Sequence, residues 1–354
     1  MAINLASKYE KELAQAFNQK SVVAGTTGND YEFNGVNEIN VYTVVSQELN
    51  DYRRSGANRY GEPQEAQDVV QKMTITRDRS FAITVDKGNN VEQMNAKDAS
   101  KILAIEMNEQ AIPEMDKYAL GRFIDYAGEI HTIAEEPTED TIVKMVSDGM
   151  VHMSNKKVPV QGRHIFIGWS YYGMLRLSKQ FIGAEGLATK ALVNGALGIF
   201  MGAQVIPVPD EYLMKGTHKA YFLITIPGAT LQPKKVQDYF AKQNPAGING
   251  ALLEGRFLYD AFVIGAKADG VYAAVAASTA QATPTIAVSG NTATVTSAGA
   301  DKIRVTVDGS DPRFSKTAIE TTSGGSVNIA TGNVVKAVAF DNELFTSAVA
   351  VKTA

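Results

Sequence analysis

The chain changes character once, near residue 270, and this break constrains its fold more than any other feature. No charged residue occurs between Asp269 and Asp301, and alanine, threonine and serine dominate residues 273–283. Before the break, helical and strand patterns are mixed. After it, short alternating strands are separated by Gly-Asn, Asp-Gly and Gly-Gly turns. The sequence predicts an α+β region over 1–274, a linker over 275–283 and a small all-β sandwich over 284–354.

The first part of the α+β region is predicted to be extended. Apolar residues at i, i+4 spacing in residues 5–18 predict a short amphipathic helix. The alternation from Tyr31 to Val45 predicts a strand, and the polar residues 50–67, punctuated by glycine and proline, predict an exposed loop. Alternation over 69–75 and 81–85, with Arg77-Asp78-Arg79-Ser80 between, predicts a β-hairpin. An isolated hairpin is marginally stable, so this one should lie against its own chain or another.

The rest of the α+β region is predicted to alternate helices and strands. A long helix from Asn95 to Tyr126 should be kinked or divided at Pro113. A second helix should begin after Pro137. The other predicted elements are strands at 163–168, 221–226, 258–265 and 270–274 and helices at 169–180 and 232–243.

The sequence offers little chemistry. The chain has no cysteine, and its four histidines lie in no metal-binding spacing. His164 fits a satisfied structural histidine on a strand. The carboxylate pairs Glu135-Glu136 and Glu139-Asp140 are explained by charge complementarity with a helix start rather than by acid–base catalysis. We therefore expect no catalytic residue, no metal and no cofactor.

The charges favour contact with another protein. A net charge of −4 argues against a chain that mainly neutralises nucleic-acid phosphates or an anionic membrane. The cluster Arg53, Arg54, Arg59 and Tyr60 is flanked by carboxylates, which favours a polar contact surface for another subunit. Arg77 and Arg79 fit the same interpretation or that of solvated turn charges. The charged first 20 residues do not fit a signal peptide, so a cytosolic chain without membrane contact is expected.

Three segments and the order of parts resemble a known family. The segments are GRHIFIGWSYYGMLRL (162–177), NGALGIFMGAQVIPVPDEYL (194–213) and GRFLYDAFVIGAKADGVYA (255–273). Together with a helical arm, a long loop and a long helix, they resemble the major capsid proteins of tailed bacteriophages with the Hong Kong 97-like fold. The resemblance extends from residue 1 to about 275.

The resemblance implies an organisation and a role. It implies an N-arm (1–30), an extended loop (about 46–92), a spine helix and peripheral region (about 93–136) and an axial region (about 137–274). Such a chain forms hexamers and pentamers of an icosahedral virion head, encloses double-stranded DNA nonspecifically and meets portal, scaffold or decoration proteins. Part of the family is crosslinked through a lysine. Nothing selects Lys72 or Lys87 for that reaction, so noncovalent assembly is expected.

The C-terminal segment is similar to a second family. Asp308, Gly309, Ser310, Asp311 and Pro312, followed by Ser315, match the turn of immunoglobulin-like (Ig-like) modules related to the C-terminal domain of chitobiases. The similarity implies an outward-facing surface domain without catalytic activity. A stabilising surface knob and a weak glycan or host-surface contact are both left open.

Two other functions compete with a phage capsid protein. One is the shell of a bacterial nanocompartment, which shares the fold but encloses a cargo enzyme. The other is a glycan-processing enzyme with an accessory β-domain, although the chain lacks a convincing catalytic carboxylate pair. Shell-like particles on expression would separate the first two functions from the third.

Overall fold

The computed structural model describes residues 20–28, 31, 33, 38–44, 49–62, 65, 68–87, 99–178 and 198–354. The helix predicted for residues 5–18 and the first residues of the glycine-rich segment 194–213 lie outside these described residues. The helices are α1 (Ala99–Glu106), α2 (Ile112–Asp125), α3 (Ile142–Asn155) and α4 (Trp169–Leu177). In the described part of the chain, no helix is long and apolar enough to span a membrane.

Fourteen strands precede residue 277 in the described part of the chain. They are β1 (Glu38–Val44), β2 (Asp68–Thr74), β3 (Arg77–Asp86), β4 (Glu129–Ile133), β5 (His164–Gly168), β6 (Ile199–Phe200), β7 (Ala203–Val208), β8 (Met214–Lys215), β9 (His218–Thr225), β10 (Thr230–Leu231), β11 (Lys234–Gln243), β12 (Gly250–Tyr259), β13 (Phe262–Val263) and β14 (Val271–Ala276). Seven more follow, namely β15 (Thr285–Ser289), β16 (Thr292–Thr296), β17 (Lys302–Thr306), β18 (Ile319–Thr321), β19 (Gly325–Asn328), β20 (Val334–Phe340) and β21 (Ala350–Thr353).

A central mixed sheet organises the α+β region. Its strand order is β4-β14-β9-β5-β7-β6, and β8 pairs with the end of β9. Strand pairs β4/β14 and β5/β7 are parallel, whereas β9 is antiparallel to both of its neighbours β14 and β5. The mixed directions agree with the α+β class predicted from the sequence.

Helices cover both faces of the central sheet. Since successive strand residues point to opposite faces, Ile165 and Ile167 pack with α3 and α4, whereas Phe166 packs with α2 on the other face. Val146 and Met150 of α3 lie in the core on the Ile165 face of the sheet, and Phe123 of α2 lies in the core on the opposite face. Burial on both faces explains why the central strands read as nearly continuous apolar runs.

The predicted hairpin over 69–85 is wrong, although both of its strands exist. Strand β2 pairs with β1, whereas β3 pairs with β12 at the edge of a separate sheet of order β11-β12-β3. Residues 77–80 do not reverse the chain but lie within β3. The connection passes from one sheet to the other at Thr76, whose amide and hydroxyl donate to the buried Asp260 carboxylate at 2.9 and 3.0 Å.

The predicted helix over 232–243 is also wrong, because residues 234–243 form strand β11. This strand pairs antiparallel with β12 along its whole length. Hydrogen bonds to a neighbouring strand outweigh the local helical tendency of this segment. By contrast, the interruption expected near Pro113 is present, since a π turn over 107–111 separates α1 from α2 and Pro113 lies in the first turn of α2.

The C-terminal region is a sandwich of seven strands. The sheets β15-β16-β19 and β18-β17-β20-β21 enclose one apolar core that includes Val295, Val305 and Val335. The predicted linker begins inside the central sheet, since β14 ends at Ala276. Ala273 and Ala274 are fully buried there, so the alanine-rich composition reflects close packing of a central strand. Gln281 further along is also buried.

Candidate functional site

The cluster at residues 53–60 lies on an exposed loop that stabilises its own shape. The Arg53 amide donates to the Arg59 carbonyl at 2.9 Å, and the rings of Tyr52 and Tyr60 meet edge to face at 5.1 Å. Arg53, Arg54, Arg59 and Tyr60 are exposed, Tyr60 to 85%. Their three guanidinium groups form no ion pair with the described residues. The loop therefore exposes an aromatic ring and three cations.

Arg77 and Arg79, the other predicted contact residues, are already paired within the chain. Both bind Glu114 in the first turn of α2: Arg77 Nη2 lies 3.1 Å and Arg79 Nε 2.8 Å from Glu114 Oε1. Next to them on β3, Asp78 pairs with Arg256 of β12 at 2.6 Å. The two pairs with Glu114 connect the sheet β11-β12-β3, called the long sheet below, to α2, and the Asp78–Arg256 pair connects two strands of that sheet. Because these charges are paired, β3 can carry them and stay extended.

The charges around Glu114 influence its ionisation. Partial burial opposes its ionised form, but the hydrogen bonds from Arg79 and Arg77 outweigh burial and lower the pKa of the Glu114 carboxyl below its ordinary value. The Tyr259 hydroxyl also donates to Glu114 Oε1, at 3.3 Å. Glu114 is therefore ionised at neutral pH and acts as the acceptor that holds both arginines.

The turn matched to Ig-like modules is built on two aspartates. The Asp308 carboxylate accepts the Ser310 amide at 2.9 Å and the Thr317 hydroxyl at 2.8 Å, while Gly309 adopts a positive φ of 76°. The Asp311 carboxylate accepts the Arg313 amide at 2.9 Å, and Pro312, between these two residues, is buried. Burial opposes ionisation of Asp308, but the hydrogen bonds from Ser310 and Thr317 outweigh it and lower the pKa of that carboxyl. The turn sets the direction of the residues that follow it.

Arg313 fixes this turn to the α+β region. Its side chain is only 3% exposed, and it pairs with Asp311 at 2.6 Å. The guanidinium also donates to the carbonyls of Ala127 and Gly128, the latter at 3.1 Å, just after the end of α2. A cation at the carboxyl end of a helix is favourable because the last carbonyls lack helical partners. The interaction joins the sandwich to the end of α2.

Two phenylalanines also contribute to this contact between the sandwich and the α+β region, called the junction below. Phe314 and Phe345 are buried in the same apolar core as α2 and one face of the central sheet. The amide of Phe345 donates to the Thr279 carbonyl at 2.9 Å, and its own carbonyl accepts the Gln281 amide at 2.8 Å. The sandwich therefore shares a core with the α+β region and is not connected to it by a free linker alone.

The junction also reaches strand β2. The Lys316 amide donates to the Val70 carbonyl at 3.1 Å, and Gln71 and Ser315 form an isolated β-bridge. The Gln71 side chain in turn donates to the Val263 carbonyl at 2.8 Å and accepts the Gly265 amide at 2.7 Å. The turn therefore holds the strand that follows the exposed loop.

Other residues considered from the sequence take structural positions. Glu136 does not cap a helix: it accepts the Tyr171 hydroxyl at 2.7 Å and pairs with Lys219, whereas α3 begins only at Ile142. The interpretation of His164 as satisfied is wrong, since its buried Nδ1 has no hydrogen-bond partner among the described residues. Burial lowers the pKa of His164, so its imidazole is neutral at neutral pH. Within the described ranges, no three acidic or histidine side chains are grouped as metal ligands.

We compared the sequence and the structure with known proteins. No protein-family model and no curated protein matches the sequence. Structures that match include a chain of Mycobacterium phage Che8, with 17% identity and a TM-score of 0.64, covering 77% of this chain and 98% of the phage chain. The capsid of the cyanophage P-SCSP1u matches with 11% identity and a TM-score of 0.58, covering 77% and 93%. The head of Helicobacter pylori bacteriophage KHP40 matches with 12% identity and a TM-score of 0.57, covering 77% and 95%.

The chain has the fold of phage capsid proteins. This confirms the α+β capsid fold predicted from the sequence. Helices α1 and α2 lie within residues 93–136, predicted as the spine helix and peripheral region. Strand β4 of the central sheet falls in the same range, whereas the other strands of that sheet begin within residues 137–274, predicted as the axial region. The region boundaries and the Ig-like assignment of residues 284–354 stay predictions.

The residues that join the sandwich and the sheets to one another were not predicted from the sequence. Arg313 and Phe314 follow directly after the turn motif, yet the motif was interpreted only as a surface feature. A basic and an aromatic residue next to a rigid turn were the available signal. Asp260, which holds the β2–β3 connection, and Gln71 gave no signal, because their partners are about 190 residues away in sequence.

Proposed function

We propose that this chain is the major capsid protein of a tailed bacteriophage. The observation that carries the proposal is the fold: at 17% identity or less, the chain superposes on nearly the full length of phage head and capsid chains. Such a subunit forms hexamers and pentamers of an icosahedral head around double-stranded DNA. Its role is structural rather than enzymatic, and it resides in the virion after assembly.

The exposed loop supplies the contact between subunits in this proposal. Its tip is closed by its own hydrogen bonds and offers Tyr60 together with Arg53, Arg54 and Arg59. Aromatic and arginine side chains are enriched at protein interfaces, because aromatic rings bury a large area at low entropic cost and the guanidinium group donates several hydrogen bonds. Arg77 and Arg79 are assigned a secondary role, since their charges are paired with Glu114 within the subunit.

The C-terminal sandwich is an Ig-like surface domain in this proposal, fixed to the shell region of the same subunit. Its seven-strand architecture and the close match of its turn motif support the Ig-like assignment. Its shared core with α2 supports a stabilising role. No glycan recognition is included in the proposal.

Electron microscopy of the purified full-length chain tests this function. We expect capsomers or closed shells. A triple variant, Arg53→Glu, Arg59→Glu and Tyr60→Ala, should keep the thermal midpoint but form few shells, because these side chains contact only the loop itself in the described part of the chain. Lys352→Glu, an equally exposed charge reversal on β21, should assemble normally.

Two outcomes would overturn the assignment. A compact monomer at every concentration and salt condition would exclude a shell subunit. Particles isolated from the native source with an enzyme inside and no DNA would indicate a nanocompartment shell instead.

A further inference from the structure

A basic cavity lies where β2, α2 and the C-terminal sandwich meet. Its volume is about 330 Å³, and aromatic and backbone groups form the remainder of its wall. The charged side chains that line it are Lys72, Arg122, Arg304, Arg313, Lys316 and Glu320. Five cations and one carboxylate therefore line a single partly open cavity.

Only part of this positive charge is neutralised by the protein. Lys72 pairs with Glu38 at 2.7 Å, and Arg313 pairs with Asp311 at 2.6 Å. Arg304 Nε lies 3.6 Å from Glu320 Oε1, beyond hydrogen-bond distance. In the part of the chain that the structure describes, Arg122 and Lys316 have no ion-pair partner. Two positive charges thus remain in excess.

The nearest carboxylates outside the cavity do not remove this excess. Asp260 interacts electrostatically with Arg122, but its oxygens accept hydrogen bonds from Thr76 and Tyr118. Asp125, which also interacts with Arg122, is paired with Lys215 at 3.0 Å. Both carboxylates are therefore already engaged.

The Arg122 guanidinium is fixed in place, but its hydrogen-bond donors are not used by the described residues. Its guanidinium carbon lies 4.4 Å from the centre of the Tyr126 ring, so stacking fixes the plane of the group. Among the described residues, its guanidinium donates no hydrogen bond, and its buried Nε has no partner. Arg304 Nε is likewise buried without a hydrogen bond. Buried donors without acceptors are costly, and an anion in the cavity would supply acceptors.

We propose that this cavity binds a small multivalent anion of the phosphate class. A planar guanidinium such as that of Arg122 binds two phosphate oxygens at once, and the ammonium of Lys316 adds a second charge from the sandwich. Two excess charges favour a divalent anion over chloride. Because the cationic side chains come from β2, α2 and the sandwich, the bound anion ties three parts of the chain together and stabilises their junction.

Titration of the purified full-length chain with inorganic phosphate and with pyrophosphate tests the site, using chloride at matched ionic strength as reference. We expect saturable binding by calorimetry and a rise in the thermal midpoint. Arg122→Gln and Lys316→Gln should each weaken binding at least tenfold. Lys316 is exposed, so its variant should fold even if Arg122→Gln does not. Lys352→Gln removes the same charge from an exposed position on β21 that does not line the cavity, and should bind like wild type.

Three outcomes would overturn the proposal. The first is a midpoint that does not respond to either phosphate probe at matched ionic strength. The second is equal binding by wild type, Arg122→Gln and Lys316→Gln. The third is a response to succinate or to a duplex oligonucleotide without one to pyrophosphate, which would assign the cavity to a carboxylate ligand or to nucleic acid.

Discussion

Arg313 carries its charge into the interior of the chain, where its side chain is only 3% exposed. One carboxylate and two backbone carbonyls compensate it, and the neighbouring Phe314 fills the space beside Gly265. Arg163 solves the same problem differently: it is 1% exposed and donates to the carbonyls of Met150, Val158 and Pro159 without any carboxylate. At the residue scale, buried cations thus mark where separate segments are joined.

Two glycine-to-alanine substitutions should have opposite effects at this scale. A Cβ at position 265 would lie 2.7 Å from Phe314 Cβ, so Gly265→Ala forces the junction apart and should cost about 1–3 kcal/mol. In α4, a Cβ at Gly173 would meet nothing within 4 Å, so Gly173→Ala should stabilise the chain by up to about 1 kcal/mol. Thermal midpoints measure both, and a neutral Gly265→Ala would contradict the close packing described for Phe314.

At the scale of elements, the long sheet is attached to α2 by a small apolar cluster and by ion pairs at its edge. Arg77 and Arg79 on β3 pair with Glu114 on α2. The apolar cluster next to them includes the buried side chains of Met115, Phe257 and Tyr259. These ion pairs are partly exposed, so each contributes about 1 kcal/mol or less. The attachment of the sheet to the helix should therefore depend on pH.

The pH dependence has a definite sign. Because the native pKa of Glu114 is lowered from 4.5, its contribution is fully present above about pH 4.5 and is lost as the pH falls through the lowered native pKa. Glu114→Gln should lower the thermal midpoint at pH 7, and the difference from wild type should shrink as the pH falls below about 4.5. Glu343→Gln, on the exposed surface of the sandwich, should follow wild type at every pH. A difference that stays constant from pH 7 to pH 3 would refute the role given to Glu114.

At the scale of the whole molecule, the sandwich and the α+β region share a core and are expected to unfold as one unit. Phe314 and Phe345 belong to the core of α2 and the central sheet, and the Lys215 ammonium contacts both Asp125 and the Asp341 carbonyl, at 3.0 and 3.1 Å. Regions that share a core are expected to unfold together, whereas regions joined by a free linker unfold separately.

A substitution inside the sandwich should therefore be felt in the central sheet. Val335 is fully buried in the sandwich core, and Val335→Ala should cost about 2 kcal/mol. Trp169, the only tryptophan, lies at the start of α4 and reports on the α+β region. Its fluorescence midpoint should fall together with the circular-dichroism midpoint. Val351→Ala, at a 59% exposed position, should leave both unchanged; a shift in circular dichroism alone would indicate independent domains.

The sequence by itself determined those elements whose pattern is local: the buried strand at 164–168, the helices α3 and α4, the division near Pro113 and the all-β character of the last seventy or so residues. Apolar periodicity and turn residues act over a few positions, so they can be read directly. Tertiary structure alone decided which strands pair and where charges are compensated. Residues 77–80 read as a turn because their partners, Glu114 and Arg256, are remote in sequence, and residues 234–243 became a strand because β12 offered hydrogen bonds. Likewise, the turn at 308–312 could be recognised, but the burial of Arg313 and Phe314 depends on surfaces more than 180 residues away, which no local pattern records.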